Sequence, residues 1–85
     1  MVNKVDADRL IIKYQPKVFG FAMSKVRNIS DAEELASNIV FELYKSFLKS
    51  ESIVNIDGYV YRISSNVYAK FVDNEVRNKH TDILQ

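Results

Sequence analysis

The residues with the clearest chemical potential lie in the last third of the chain, at helical spacing. Aromatic, cationic and amide side chains share one predicted helix face there: Tyr61, Arg62, Ser65, Asn66, Ala69 and Lys70. A tyrosine ring offers a nucleobase a flat stacking surface worth about 1–3 kcal/mol. Arginine can bind a phosphate or a guanine edge, and asparagine can form two hydrogen bonds with a base edge. This pattern favours a surface that binds unpaired nucleotides.

Other interpretations of the same residues stay open. Tyrosines at helical spacing commonly form a half-buried core with the hydroxyl at its rim, and Tyr68 shares such spacing with Tyr61. Arg62 would suit an ion pair with a carboxylate of the preceding helix equally well.

The side chains that catalysis or metal binding would need are scarce. The sequence has no cysteine and a single histidine, His80, which argues against thiolate and histidine metal sites. Glu33 and Glu34 are adjacent and would point in different directions on a helix, so they do not suit a carboxylate pair. No glycine-rich phosphate loop is present in the sequence. We therefore expect no enzymatic activity, no metal and no cofactor.

The charges are segregated along the chain, although the net charge is only +1. Residues 9–27 carry five bases and no acid, whereas residues 31–51 carry five acids and two lysines. A basic face attracts phosphates, and an acidic face suits a protein partner. The alternative is that both are solvated faces without a partner. No long apolar run is present, so we expect no membrane span and no signal peptide.

Three amphipathic segments must position these residues. Apolar side chains recur every three or four positions over about residues 6–27, 30–49 and 55–79, which is the helical period. No strand alternation or internal repeat is visible. The sequence therefore predicts one all-α domain over residues 1–85, a small three-helix bundle.

Single residues also predict where these helices begin and where the first of them is interrupted. Pro16 predicts that the first helix is kinked or split nearby, because proline lacks the N–H of a helical hydrogen bond. Ser30 and Glu33 have the spacing of a capping box at the start of the second helix. Asn55 predicts the cap of the third helix, with Asp57 in its first turn.

Short motifs in the three segments resemble a known family. Residues 31–35 read Asp-Ala-Glu-Glu-Leu, and residues 59–63 read Tyr-Val-Tyr-Arg-Ile ahead of Asn66. Together with Tyr14 and Pro16 of the first segment, they resemble the second conserved region of bacterial RNA polymerase sigma factors of the extracytoplasmic-function type.

The resemblance implies a cytoplasmic transcription initiation factor with two binding surfaces. The second helix would bind the clamp coiled coil of the RNA polymerase β′ subunit through Glu34, Ser37, Asn38 and Phe41. The third helix and the loop before it (residues 48–55) would face the minus-ten promoter element, melt it and hold its single-stranded non-template strand. The DNA-binding positions carried over from the family are Tyr59, Tyr61, Arg62, Ser65, Asn66 and Lys70.

This sequence also departs from the family pattern. Ser37-Asn38 replaces the usual Gln-Glu, which weakens the expected clamp contact. Tyr59 replaces a tryptophan and suits inward packing as well as stacking on DNA. The usual basic run is missing, since residues 71–79 carry two acids and two bases, so we expect weak non-specific DNA affinity. The family's second, helix-turn-helix domain is not within these 85 residues. We therefore expect a domain of a longer protein, with a free-standing copy as the alternative.

Two further functions fit parts of the sequence. The main alternative is a helical protein-interaction module without DNA activity, bound by an anti-sigma protein, which the near-neutral third helix favours. The other is a helix-turn-helix repressor, which would need two short helices joined by a tight turn. The second and third segments are too long for that arrangement.

Overall fold

Three helices account for nearly all of the computed structural model, which describes residues 4–49 and 53–84. Helix α1 spans Lys4–Lys25, α2 spans Ile29–Lys49 and α3 spans Ile56–Leu84. The described residues contain no strand. The predicted all-α three-helix bundle is therefore confirmed. None of the helices in this part of the chain is long and apolar enough to cross a membrane.

The core lies along α2, which packs against both other helices. The fully buried residues of α2 recur at the spacing that the sequence indicates: Ala32, Leu35, Ile39, Leu43 and Phe47. The buried residues facing them from α1 and α3 are Ala7, Tyr14, Val18, Ala22, Val60, Val67 and Phe71. Removal of this apolar surface from water, at about 25 cal/mol per Å², is the main term that stabilises the bundle.

Helix α1 continues through Pro16 without interruption, so the first helix is not split there, and the alternative of a kink near Pro16 stays a prediction. The proline removes the N–H that would bind the carbonyl of Ile12. Pro16 is exposed and the side chain of Ile12 is 67% exposed, so water can reach that carbonyl. The exposed side of α1 therefore tolerates the proline within one helix.

The solvent-facing side of α1 carries apolar residues. Ile12 and Phe19 are both exposed and lie outside the buried stripe of the helix. At Gly20 a Cβ atom would meet nothing within 4 Å, so no other helix lies close to this glycine in the described part of the chain. The outer face of α1 therefore carries apolar side chains that do not belong to the core.

The cap of α2 lies two residues earlier than the sequence predicts. The Asp31 backbone N–H donates to the Asn28 side-chain oxygen at 2.8 Å, and the Asn28 side-chain amide donates to the Asp31 carboxylate at 3.0 Å. Asn28 is therefore the capping residue and Asp31 its reciprocal partner. Ser30 already lies inside the helix, so the predicted pairing of Ser30 with Glu33 is wrong.

Helix α3 begins as predicted and ends later than predicted. The side-chain oxygen of Asn55 accepts from the backbone N–H of Gly58 at 3.0 Å, which confirms the Asn55 cap. The helix continues to Leu84, beyond residue 79, where the predicted helical segment ends. Its 29 residues are about 44 Å long at 1.5 Å per residue. Among the α3 side chains that the structure describes, which end at Arg77, the last buried one is Phe71, so residues 72–77 extend past the packed bundle.

Candidate nucleic-acid interface

A small cavity forms where the chain enters α3. Its volume is about 310 Å³, near the lower end of the usual range for ligand pockets. Its walls combine apolar, amide, aromatic and guanidinium groups, from Ile53, Val54, Asn55, Gly58, Tyr59 and Arg62. Ser50, Glu51 and Ser52, which belong to the loop expected to face DNA, lie outside the described residues. The cavity is open to solvent, and its lining includes the Asn55 amide and the Arg62 guanidinium.

Gly58 allows the Asn55 cap to close against the helix. A Cβ atom at position 58 would lie 2.9 Å from the Asn55 side-chain nitrogen, closer than such contacts normally are. Glycine therefore lets the asparagine side chain fold over the first turn, where it binds the Gly58 N–H. This packing fixes the wall of the cavity that Asn55 and Gly58 share.

Most of the predicted DNA-binding residues lie on the outward half of α3. The side chain of Tyr61 is 64% exposed, Arg62 and Asn66 are exposed, and Ser65 is half-buried. At about 100° per residue, these four positions cover an arc of about 140°. Arg62 has no ion pair with any described carboxylate, so the ion pair considered for it with α2 is absent from this part of the chain. The structure thus brings an aromatic ring, a guanidinium and an amide together on one exposed surface.

Tyr59 packs inward. It is half-buried, and its ring stacks on the buried ring of Phe47 from α2, with 6.1 Å between centroids and 28° between planes. Of the two roles that the sequence left open for Tyr59, the structure therefore favours packing. The residue still forms one wall of the small cavity.

Lys70 follows Asn66 by one helical turn and lies at the edge of the predicted DNA-binding surface, on the side opposite Tyr61. It is exposed on the side of α3 that faces α2, and it lines a polar groove of about 420 Å³ between these helices. Acidic side chains from both helices line the same groove: Glu34, Glu42 and Glu75. Carboxylates this close would repel a phosphate, so Lys70 does not extend the surface around Tyr61.

The four predicted polymerase-binding residues form an exposed ridge on α2. We call Glu34, Ser37, Asn38 and Phe41 the α2 ridge; all four are exposed, and Phe41 is 62% exposed. The Lys45 amine lies over the Phe41 ring, 4.6 Å from its centroid, and also pairs with Glu42 at 3.0 Å. The ridge therefore presents an exposed phenylalanine, a residue type enriched at protein interfaces, with charged groups of both signs beside it.

An apolar groove between α1 and α2 adjoins this ridge, and the sequence analysis did not anticipate it. Its volume is about 760 Å³, and Ser37 and Phe41 of the ridge belong to its lining. The other lining residues are Gln15, Pro16, Val18, Phe19, Glu33, Ala36, Val40 and Tyr44. The only sequence signal for the groove was an apolar pattern on α1 broader than one buried stripe.

A hydrogen bond between α1 and the start of α3 was also missed. The buried Tyr14 hydroxyl donates to the Asp57 carboxylate, and the Lys17 amine lies 3.8 Å from the same carboxylate. The bond raises the pKa of Tyr14, with burial adding to the effect. It is also the main reason that the pKa of Asp57 is lowered, and the charge of Lys17 adds to that lowering. No local pattern could pair two residues 43 positions apart.

Comparison of this chain with protein-family models, curated proteins and solved structures finds no match.

Proposed function

We propose that this chain is a transcription-initiation domain that acts in the cytoplasm as the second region of sigma factors does. In this proposal the α2 ridge binds the clamp coiled coil of the RNA polymerase β′ subunit. The outward face of α3 holds the unpaired non-template strand of the minus-ten element. The proposal includes no catalytic step, cofactor or metal.

One observation carries the DNA half of the proposal. Tyr61, Arg62 and Asn66 are exposed together on α3, and Arg62 also lines the small cavity at the start of that helix. A strand could stack one base on Tyr61 while Arg62 binds a phosphate and Asn66 binds a base edge. The cavity beside Tyr59 offers space for a base that is turned out of the stack.

In this proposal, strand opening depends on α3 binding bases that have already left the duplex. Turning a base out of a duplex costs a few kcal/mol, and stacking on an aromatic side chain returns about 1–3 kcal/mol per base. Spontaneous opening followed by binding to α3 would therefore suffice, provided that the polymerase holds the domain beside the promoter. Because the α2 ridge and the outward face of α3 belong to different helices, both partners could bind at once.

Two matched asparagine substitutions test the two surfaces separately. Asn66→Ala should weaken binding of a labelled A/T-rich single strand, measured by fluorescence anisotropy, and leave binding of a β′ clamp fragment unchanged. Asn38→Ala, on the α2 ridge, should weaken binding of the clamp fragment and leave binding of the single strand unchanged. Both side chains are exposed, so both variants should keep the helical circular dichroism of the parent. Failure of the parent chain to bind the clamp fragment at tens of micromolar would contradict the proposal.

The groove between α1 and α2 favours a second candidate function, a helical module that binds another protein without touching DNA. The groove is mainly apolar and meets the α2 ridge at Ser37 and Phe41, so an amphipathic helix of an anti-sigma protein would fit its chemistry. Salt distinguishes the two functions. Strand affinity must fall steeply as salt rises if phosphates are bound, whereas docking in an apolar groove should change little.

A further inference from the structure

The basic residues of α1 have no role in the surfaces described so far. Between Arg9 and Arg27 the chain carries five bases and no acid. In the sigma factors that the sequence resembles, the end of the third helix carries a basic run. The corresponding part of α3 offers little positive charge. Asp73 and Glu75 lie in that part, and Arg77 pairs with Asp73 at 3.1 Å. A strand held by α3 would therefore need its phosphate contacts from another element.

The fold brings two lysines of α1 beside the aromatic side of α3. The Phe21 ring meets the Tyr61 ring edge-on, with 6.1 Å between centroids, and meets the Tyr68 ring edge-on at 6.3 Å. The Lys25 amine lies 5.4 Å from the Phe21 centroid and 5.6 Å from the Tyr68 centroid. One continuous surface thus joins a cation of α1 to the exposed Tyr61 ring of α3.

Lys17 extends this surface along α1. It lies two helical turns before Lys25, which corresponds to about 12 Å along the axis. Its amine is near Asp57, but both side chains are at least 70% exposed, so the pair is weak and Lys17 can bind another anion. Asp57 reduces the positive charge at this end, which makes Lys25 the stronger of the two anion contacts. We name the surface formed by Lys17, Phe21, Lys25, Tyr61 and Tyr68 the α1–α3 flank.

We propose that the α1–α3 flank binds the sugar–phosphate backbone of a single DNA strand whose bases contact the outward face of α3. The identity of the strand rests on the proposed function. Charge complementarity supports this occupant, because the flank combines cations with an exposed ring, as sequence-tolerant single-strand sites do. The lysines supply the attraction for phosphates that the near-neutral end of α3 lacks.

The salt dependence of strand binding tests the flank. The 85-residue chain is titrated into a fluorescein-labelled A/T-rich single strand at several salt concentrations between about 50 and 200 mM. Each phosphate contact contributes about 0.7 to the slope of log affinity against log salt. Lys25→Gln should therefore reduce the slope by about 0.7 and weaken binding at the lowest salt about five- to tenfold. The double variant Lys17→Gln/Lys25→Gln should lose about 1.4 from the slope.

Lys45→Gln is the matched control. It removes the same charge from an exposed lysine of α2, next to Phe41 of the α2 ridge and away from the flank. Its slope should equal that of the parent, and circular dichroism checks that every variant remains folded. If both flank variants keep the salt slope of the parent, the inference is overturned. It is also overturned if Lys45→Gln lowers the slope as much as Lys25→Gln does.

The same titrations separate this inference from the proposed function. If Asn66→Ala weakens strand binding but the lysine variants do not, the flank is overturned and the DNA role of α3 stands. If the lysine variants lower the slope while the parent fails to bind the clamp fragment, the flank stands and the polymerase role is overturned. A parent chain that binds no strand overturns the flank and the DNA half of the proposed function together.

Discussion

Helices α2 and α3 both carry an apolar stripe and both begin at an asparagine cap, yet they bury their stripes to different depths. The five core residues of α2 are completely buried, whereas Val60, Val67 and Phe71 of α3 keep 6–9% of their surface exposed. The outward side of α3 instead presents Tyr61, Arg62 and Asn66 to solvent. The contrast indicates that α2 holds the bundle together, while α3 is a less deeply packed helix that displays its polar side.

The largest expected effect on the free energy of unfolding comes from substituting a matched pair of isoleucines, one in α2 and one in α3. Ile39→Ala removes a fully buried side chain of α2 and should lower the free energy of unfolding by about 2–5 kcal/mol. Ile63→Ala makes the same change at a half-buried position of α3 and should cost less than half as much. Urea denaturation followed by circular dichroism measures both. Equal losses would show that the two helices are packed equally well and would remove the contrast.

The caps give the next largest effect. Asn28→Ala removes both hydrogen bonds of the reciprocal pair with Asp31 and should cost about 1 kcal/mol of the free energy of unfolding. Ser30→Ala, two residues later and inside the helix, should change it by less than about 0.5 kcal/mol. The same denaturation experiment applies. A larger loss of stability for Ser30→Ala than for Asn28→Ala would indicate that Ser30 caps α2, as the sequence predicts.

The smallest effect concerns the bond between α1 and α3, and it depends on pH. The pKa of Asp57 is lowered in the folded chain, mainly by the Tyr14 hydroxyl, so the bond stabilises the fold above the ordinary carboxyl pKa of 3.8. That stability is lost as the pH falls through the lowered pKa of the folded state. The difference in unfolding free energy between the parent and Tyr14→Phe should therefore be constant near neutral pH and shrink in acid.

Tyr61→Phe serves as the control for this pH dependence. Tyr61 is an exposed tyrosine of α3 whose ring contacts Phe21. Its difference from the parent should not vary between neutral and acid pH. A Tyr14→Phe difference that stays constant down to the lowest pH would show that Asp57 does not depend on the Tyr14 hydroxyl.

Local patterns in the sequence predicted the helices and most of the core, because helix periodicity and asparagine capping act within a few residues. The stripe from Leu35 to Phe47 and the Asn55 cap are confirmed. The errors come from competition between nearby alternatives. Asn28 and Ser30 both suit a cap, and the exposed surroundings of Pro16 decide that the helix continues.

The candidate site was predictable only where its residues are neighbours on one helix. Helix geometry places Tyr61, Arg62 and Asn66 within an arc of about 140° around α3. Tertiary packing decides the rest: Tyr59 turns towards Phe47, and Lys70 faces the acidic groove of α2. The pairing of Tyr14 with Asp57, and the approach of Lys25 to Tyr68, depend on how α1 lies against α3, which no local pattern contains.

The length of α3 past Phe71 has a consequence for how the backbone of this helix opens. Amide protons between Val60 and Phe71 are shielded by packed side chains, but those from Val72 to Arg77 have only exposed side chains around them. The exposed ion pair of Arg77 with Asp73 adds about 0.3–0.5 kcal/mol there. Hydrogen exchange along α3 should therefore accelerate just after Phe71, because a helical segment without tertiary support opens far more readily than one packed against a core.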